Sequence, residues 1–86
     1  MKLVIEKTER GFRRADFADL YGAAASIQES SLVTEPALWL GLNEGVHHHV
    51  TGDCMARMHL SRDMAAALLL LLQHFVETGE LPETKR

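Results

Sequence analysis

The chain has 86 residues, a formal net charge of −3 and a single cysteine. This length predicts one domain with a small core, so an interface with another chain could matter as much as the core, and we expect a homo-oligomer. The negative charge argues against a protein that coats nucleic acid, and no long nucleic acid is expected as a partner. The lone Cys54 cannot form an intramolecular disulfide and is typical of a reducing compartment, so we expect the cytoplasm.

No membrane association is predicted. The first residues hold only a short apolar run, Leu3 to Ile5, before charged residues return, and this run is too short for a signal peptide. The leucine run from Leu68 to Leu72 lies inside an amphipathic segment that is too short and too polar to cross a bilayer.

Alternation of apolar and polar side chains predicts most of the chain to be strands. The predicted strands are residues 2–8, 12–17, 23–29, 37–42 and 56–60, with turn residues such as Gly11 and Asn43 between them. Helix is the alternative for residues 23–29, because the alanines there favour it. Residues 46–53 are predicted to form a loop or an irregular hairpin.

The only long apolar periodicity lies near the end of the chain and predicts a helix from Arg62 to Thr78. Ser61 stands at the N-cap position, Gly79 at the position that ends a helix, and Pro82 prevents a restart. Its large apolar side chains cover an arc of about 160°, with Leu70 alone on the other side. The predicted fold class is α+β, a single domain over 1–86 in which an antiparallel sheet of about five strands carries the C-terminal helix packed on one face.

Three consecutive histidines, His47, His48 and His49, are the most conspicuous metal-ligand candidates. Consecutive residues of an extended chain point to opposite sides, and no usual zinc spacing is present, so we expect an exposed segment and no bound metal. Ser30 and Ser31 lack the context of a catalytic nucleophile. The chain is therefore expected to have no cofactor and not to be an enzyme.

A candidate anion site lies where the last strand meets the helix. Arginine forks suit phosphate, and a helix N-terminus offers free amide groups, so Arg57, His59, Ser61 and Arg62 form this candidate. The alternative is that both arginines pair with carboxylates on the surface. Trp39 either stacks on a base or belongs to the core, and the polar segment 26–35 either binds a ligand or caps loops.

Several sequence blocks resemble a known family. These blocks are F-x-D-x-Y-G, SIQESSLVTE, LWLG, RMHLSRD and FVETGEL, spread from Gly11 to Leu81. They are similar to short phage and prophage proteins of the anti-Thoeris sponge family. Such proteins bind cyclic ADP-ribose isomers made by bacterial TIR-domain immune enzymes and sequester them without cleavage, and relatives hold cyclic oligonucleotides.

The resemblance implies a phage anti-defence protein that holds a small nucleotide signal at the junctions of a homo-oligomer. It implies phosphate contacts for Arg57 and Arg62 and stacking by Trp39 or Phe17. Ribose hydroxyls or a base edge would be bound by Gln28, Ser30, Ser31 and Thr34. The segment 43–56 is shorter than in the family, which leaves open a different ligand or a pocket completed by a neighbouring subunit.

A second function class remains open from the sequence. A small acidic domain with Glu29, Glu35 and Glu44 in loops would suit an inhibitor that docks on a host defence protein, such as a CRISPR effector, and covers its basic channel. Such an inhibitor would bind a protein partner and no small molecule.

Overall fold

The computed structural model describes residues 1–44, 46–48, 52–54 and 56–83, and for 46–48 and 52–54 it describes the backbone only. Of the three consecutive histidines, His49 lies outside the described residues. The elements are β1 (Glu6–Lys7), β2 (Arg13–Ala18), β3 (Ala24–Glu29), β4 (Ala37–Leu42), β5 (Val46–His48), β6 (Gly52–Cys54), β7 (Arg57–Ser61) and α1 (Arg62–Thr78).

The α+β prediction is confirmed: a five-stranded antiparallel sheet with the order β1-β2-β3-β4-β7 precedes one C-terminal helix. β5 and β6 pair as a separate two-stranded ribbon inserted between β4 and β7, so the predicted irregular hairpin is regular over these residues. β1 is shorter than predicted, because only Glu6 and Lys7 pair with β2. Of the segment 23–29, residues 24–29 form a strand, which excludes the helical alternative.

The register gives the sheet one apolar and one polar face. The apolar face includes a row of residues that pair across β2, β3, β4 and β7. In this row Ala15 is opposite Ile27, Ile27 is opposite Leu40, and Leu40 is opposite Met58. Because neighbouring residues of a strand point to opposite sides, the residues between them form the polar face. Of the apolar side chains that the structure describes, only Ala15, Ala25 and Leu60 are buried, so the core is small.

α1 begins and ends with the predicted caps. The Ser61 hydroxyl accepts a hydrogen bond from the backbone N–H of Met64, and Asp63 places a carboxylate in the first turn, where the helix dipole favours it. Gly79 has φ of +79° and donates its N–H to the Phe75 carbonyl, which ends the helix. Among the described residues, no helix is long and apolar enough to cross a bilayer.

In the single chain, α1 packs on the sheet only near its start. None of its 17 residues, all of which the structure describes, is buried, and Leu72 is 59% exposed. The helix contacts the sheet near its start, where Ala65 lines a cleft with Leu38 and Leu60. Because α1 follows β7 directly at Ser61 and Arg62, no turn folds it back across the sheet.

Candidate functional site

The polar face of the sheet presents two adjacent rows of residues from four strands. Cα pairing places Arg14 opposite Gln28, Gln28 opposite Trp39, and Trp39 opposite His59. The second row runs parallel to the first and contains Asp16, Ser26, Gly41 and Arg57. Strands lie about 4.8 Å apart, so each row spans about 14 Å, enough for a nucleotide.

Two arginines meet at one amide in the middle of this face. The Gln28 Oε1 atom accepts hydrogen bonds from the Nη1 atoms of Arg14, at 3.1 Å, and Arg57, at 3.3 Å. Both guanidinium groups are always charged, and the acceptor between them is neutral. An anion beside Gln28 would therefore meet positive charge from two strands.

Arg14 and Arg57 differ in their other partners. Arg14 forms a salt bridge with Asp16, its Nη2 atom lying 2.9 Å from Asp16 Oδ1. Among the residues that the structure describes, Arg57 has no carboxylate within ion-pair distance. Arg57 is thus the guanidinium of this pair whose charge is left uncompensated by the described part of the chain.

Asp16 belongs to a set of hydrogen-bonded polar side chains that connects β2, β3 and the end of β4. Asn43 donates from Nδ2 to Asp16 Oδ1 at 3.3 Å, and the buried Ser26 hydroxyl donates to Asn43 Oδ1 at 2.6 Å. Hydrogen bonds from Arg14 lower the pKa of the Asp16 carboxyl below its ordinary value of 3.8. Loss of hydration opposes this shift, and a hydrogen bond from Asn43 adds to it. The carboxylate therefore stays ionised and keeps Arg14 in place.

The two aromatic rings of the first row are stacked. The Trp39 and His59 ring centroids lie 4.1 Å apart with 10° between the planes, and the Arg57 Cζ atom lies 5.5 Å from the Trp39 ring centroid. His59 Nε2 also lies 2.8 Å from the Ser30 hydroxyl oxygen. Trp39 thus lies on the polar face, with His59 stacked against its ring and the Arg57 guanidinium nearby, so the alternative that it belongs to the core does not apply.

A cleft of about 440 Å³ opens beside these residues. Ligand sites for small molecules are commonly of this size. A second arginine–aromatic pair lies at the cleft, with Arg10 Cζ 5.5 Å from the Phe12 ring centroid. The cleft is lined by Thr8, Glu9, Arg10, Phe12, Gln28, Glu29, Ser31, Trp39 and Arg57.

The structure brings together only part of the predicted site. Four predicted residues line the cleft: Gln28, Ser31, Trp39 and Arg57. Two others, Ser30 and His59, form the contact beside the Trp39 ring.

The predicted anion site at the helix start is divided. Arg62 lines separate clefts with Pro36 and Ser61, and it does not line the one that Arg57 lines. The Ser61 hydroxyl caps α1, and Thr34 lies exposed in the bend at residues 33–35. Phe17, considered for stacking, lies on the apolar face opposite Ala25. The four residues 57, 59, 61 and 62 therefore do not form one site in the chain as described.

The sequence did not single out Arg14, Asp16, Asn43, Arg10 and Phe12 as site residues. The alternation along the predicted strand 12–17 does place Phe12, Arg14 and Asp16 on one face, and this was the available signal. Their proximity to Gln28 and Arg57 depends on the pairing of β2 with β3 and of β4 with β7, which a single sequence does not specify.

Metal ligands do not cluster in the part of the chain that the structure describes: no group of three or more histidine, cysteine, aspartate or glutamate residues is placed to bind an ion. His47 and His48 lie in β5, for which the backbone alone is described.

The fold and the site define an α+β domain whose sheet has an apolar face and a polar, arginine-containing face with a cleft. Comparisons with protein-family models, with curated proteins and with solved structures find no match to this chain.

Proposed function

We propose that this protein binds a small nucleotide in the cleft on the polar face of its sheet and holds it without breaking a bond. The observation that carries the proposal is the convergence of Arg14 and Arg57 on Gln28 beside the Trp39 ring. This arrangement combines positive charge, a hydrogen-bonding amide and an aromatic surface, which are the groups that phosphate, ribose and base require.

Each part of a nucleotide has a matching group at the cleft. Arg57 would bind phosphate, because its charge has no carboxylate partner among the described residues. Trp39 would stack on the base from inside the cleft, since it lines the cleft and His59 does not. Gln28 and Ser31 would bind ribose hydroxyls or the base edge.

Among the described residues, one serine–histidine pair is close enough to suggest catalysis, but its other contacts favour binding alone. Ser30 and His59 lie 2.8 Å apart, a distance that a nucleophile and its base also show. The Ser30 oxygen, however, already accepts the N–H of Leu32, and no described group orients the other ring nitrogen of His59. The contact is better suited to holding His59 against Trp39.

The sequence blocks support a particular class of ligand and a setting. SIQESSLVTE, LWLG and RMHLSRD resemble the anti-Thoeris sponge proteins, and these blocks contain Gln28, Trp39 and Arg57. We propose a cyclic ADP-ribose isomer or a cyclic oligonucleotide as the ligand, and a phage anti-defence role in the host cytoplasm. No cofactor or metal is needed for such sequestration.

A thermal-shift screen tests the proposal. The purified protein is heated with cyclic ADP-ribose isomers, cyclic dinucleotides or cyclic trinucleotides, and each ligand is then recovered and checked by mass spectrometry. A ligand at a hundred times its Kd adds about 2.7 kcal/mol to the free energy of unfolding, so the Tm should rise by at least several degrees. The recovered ligand should be intact.

Two arginine variants provide a matched comparison. Arg57→Ala should weaken binding at least about tenfold in calorimetry, because a charge-assisted hydrogen bond is lost, whereas Arg62→Ala should bind like the original chain. Equal losses of affinity in both variants would indicate that the phosphate binds at the start of α1, where Arg62 lies. A screen in which no nucleotide raises the Tm would contradict the proposal and favour the inhibitor of a host defence protein.

A further inference from the structure

The single chain exposes far more surface than a folded protein of its mass. Its accessible surface is 7567 Å², whereas a folded monomer of 9.6 kDa is expected to have about 5,100 Å². Its radius of gyration is 15.2 Å, against about 12 Å for a compact chain of this length. The excess of about 2,500 Å² is surface that a compact domain of this mass would bury.

Much of this surface is the apolar side of α1. Leu68, Leu71, Leu72 and Phe75 lie along one side of the helix, and all are at least 36% exposed, with Phe75 at 51%. Met64 lies on the same side, and Leu69 and Val76 widen it to an arc of about 160°, which is broader than the seam of a two-helix coiled coil and suits a flat partner. A sheet is such a partner.

The apolar face of the sheet in the same chain is also partly exposed to solvent. On the apolar face, Met58 is 54% exposed and Leu42 is 37% exposed, while Phe17, Ile27 and Leu40 are only half-buried. This is the face on which the sequence predicted the helix to pack. Each chain therefore has an apolar helix side and an apolar sheet face, and neither covers the other within the described chain.

We propose that two copies of this chain associate by exchanging helices, with α1 of each copy packed on the apolar sheet face of the other. Such a dimer has two-fold symmetry, and both apolar surfaces of both copies become buried. Burying half of the excess on each copy gives about 2,500 Å² in total, within the range of obligate homodimers. The polar face with its cleft lies on the opposite side of the sheet and stays open, so this inference does not rest on the proposed ligand.

Sedimentation velocity at micromolar concentration gives the first test. The original chain should sediment at about twice 9.6 kDa. Leu72→Glu places a charge in the middle of the apolar arc and should give monomers or loss of folding. The matched variant Gln73→Glu adds the same charge outside the apolar arc and should remain a dimer. An original chain that sediments as a folded monomer would overturn the proposal.

Disulfide trapping gives the second test and holds even where Leu72→Glu fails to fold. In a Cys54→Ser background, Met58→Cys and Leu72→Cys chains are refolded together and oxidised. A mixed disulfide between the two chains is expected, and Gln73→Cys in place of Leu72→Cys should give none. A disulfide found only between two Leu72→Cys chains would show that helix packs against helix, and it would contradict the packing of α1 on the partner's sheet.

Discussion

His59 lies against Trp39 with a ring-centroid distance of 4.1 Å and nearly parallel planes, although the two residues belong to different strands. The pairing of β4 with β7 creates this stack. The Ser30 hydroxyl oxygen lies 2.8 Å from His59 Nε2, and this hydrogen bond fixes the imidazole that stacks on the indole. The aromatic surface is therefore formed before any ligand binds, which lowers the ordering cost of stacking a base on it.

Trp39→Ala should weaken binding of the nucleotide found by the thermal-shift screen by about 1–3 kcal/mol, the usual contribution of one base–aromatic stack. Trp39→Phe keeps an aromatic face and should lose much less. Isothermal calorimetry of the two variants measures the difference. Equal affinities for the alanine and phenylalanine variants would show that no base stacks on residue 39.

Gly41→Ala should destabilise the sheet at the point where Arg57 is positioned. Gly41 has φ of +147°, and a Cβ there would overlap the Ala56 carbonyl oxygen and lie 2.9 Å from the Arg57 Cα. We expect a loss of more than about 1–2 kcal/mol, because backbone strain and the overlap with neighbouring backbone add.

Gly22→Ala is the matched control for this variant. Gly22 also has a positive φ, of +86°, but a Cβ there has open space around it, so strain alone remains. Chemical denaturation of both variants should show the larger loss for Gly41→Ala. A smaller loss at Gly41 than at Gly22 would contradict the close approach of β4 and β7.

Ser61→Ala should lower the free energy of unfolding by about 1 kcal/mol, because the backbone N–H of Met64 loses its acceptor. For a domain of this size, the Tm should fall by about 4–8 °C. Ser61→Asp keeps an acceptor at the N-cap and should retain most of the stability. Circular dichroism at 222 nm follows the melt, and an alanine variant as stable as the original would exclude this cap as a stabilising contact.

Asp16→Asn should lower the free energy of unfolding near neutral pH, and this difference from the original chain should disappear in acid. The pKa of Asp16 in the folded chain is lowered below 3.8, so its ionised form stabilises the fold above that pH and the contribution disappears as the pH falls through the lowered value. The Tm difference between the original chain and Asp16→Asn should therefore shrink towards zero below pH 3.8. Other carboxyl groups titrate in both proteins and cancel in the difference. A Tm difference that does not change with pH would exclude the Arg14–Asp16 pair as its cause.

Local patterns in the sequence predicted the secondary structure well. Alternation of side chains depends on neighbours along one strand, and the caps Ser61 and Gly79 act within one helical turn, so both are visible without the fold. The helix bounds, Arg62 to Thr78, and the strand at 37–42 followed from such signals, and the strand predicted at 23–29 is observed at 24–29. The α+β class followed from their order along the chain.

The tertiary structure decided which residues meet. A shift of one residue in strand pairing would move Arg14 and Arg57 to the other face, and the sequence alone does not specify that register. The pairing of β2 with β3 and of β4 with β7 brings these two arginines to Gln28, whereas Arg62, close to Arg57 in sequence, lies on the helix beyond the strand end. The sequence also determined that α1 has an apolar side. Only the three-dimensional path of the chain, in which β7 runs straight into the helix, decided that this side is left uncovered in the single copy.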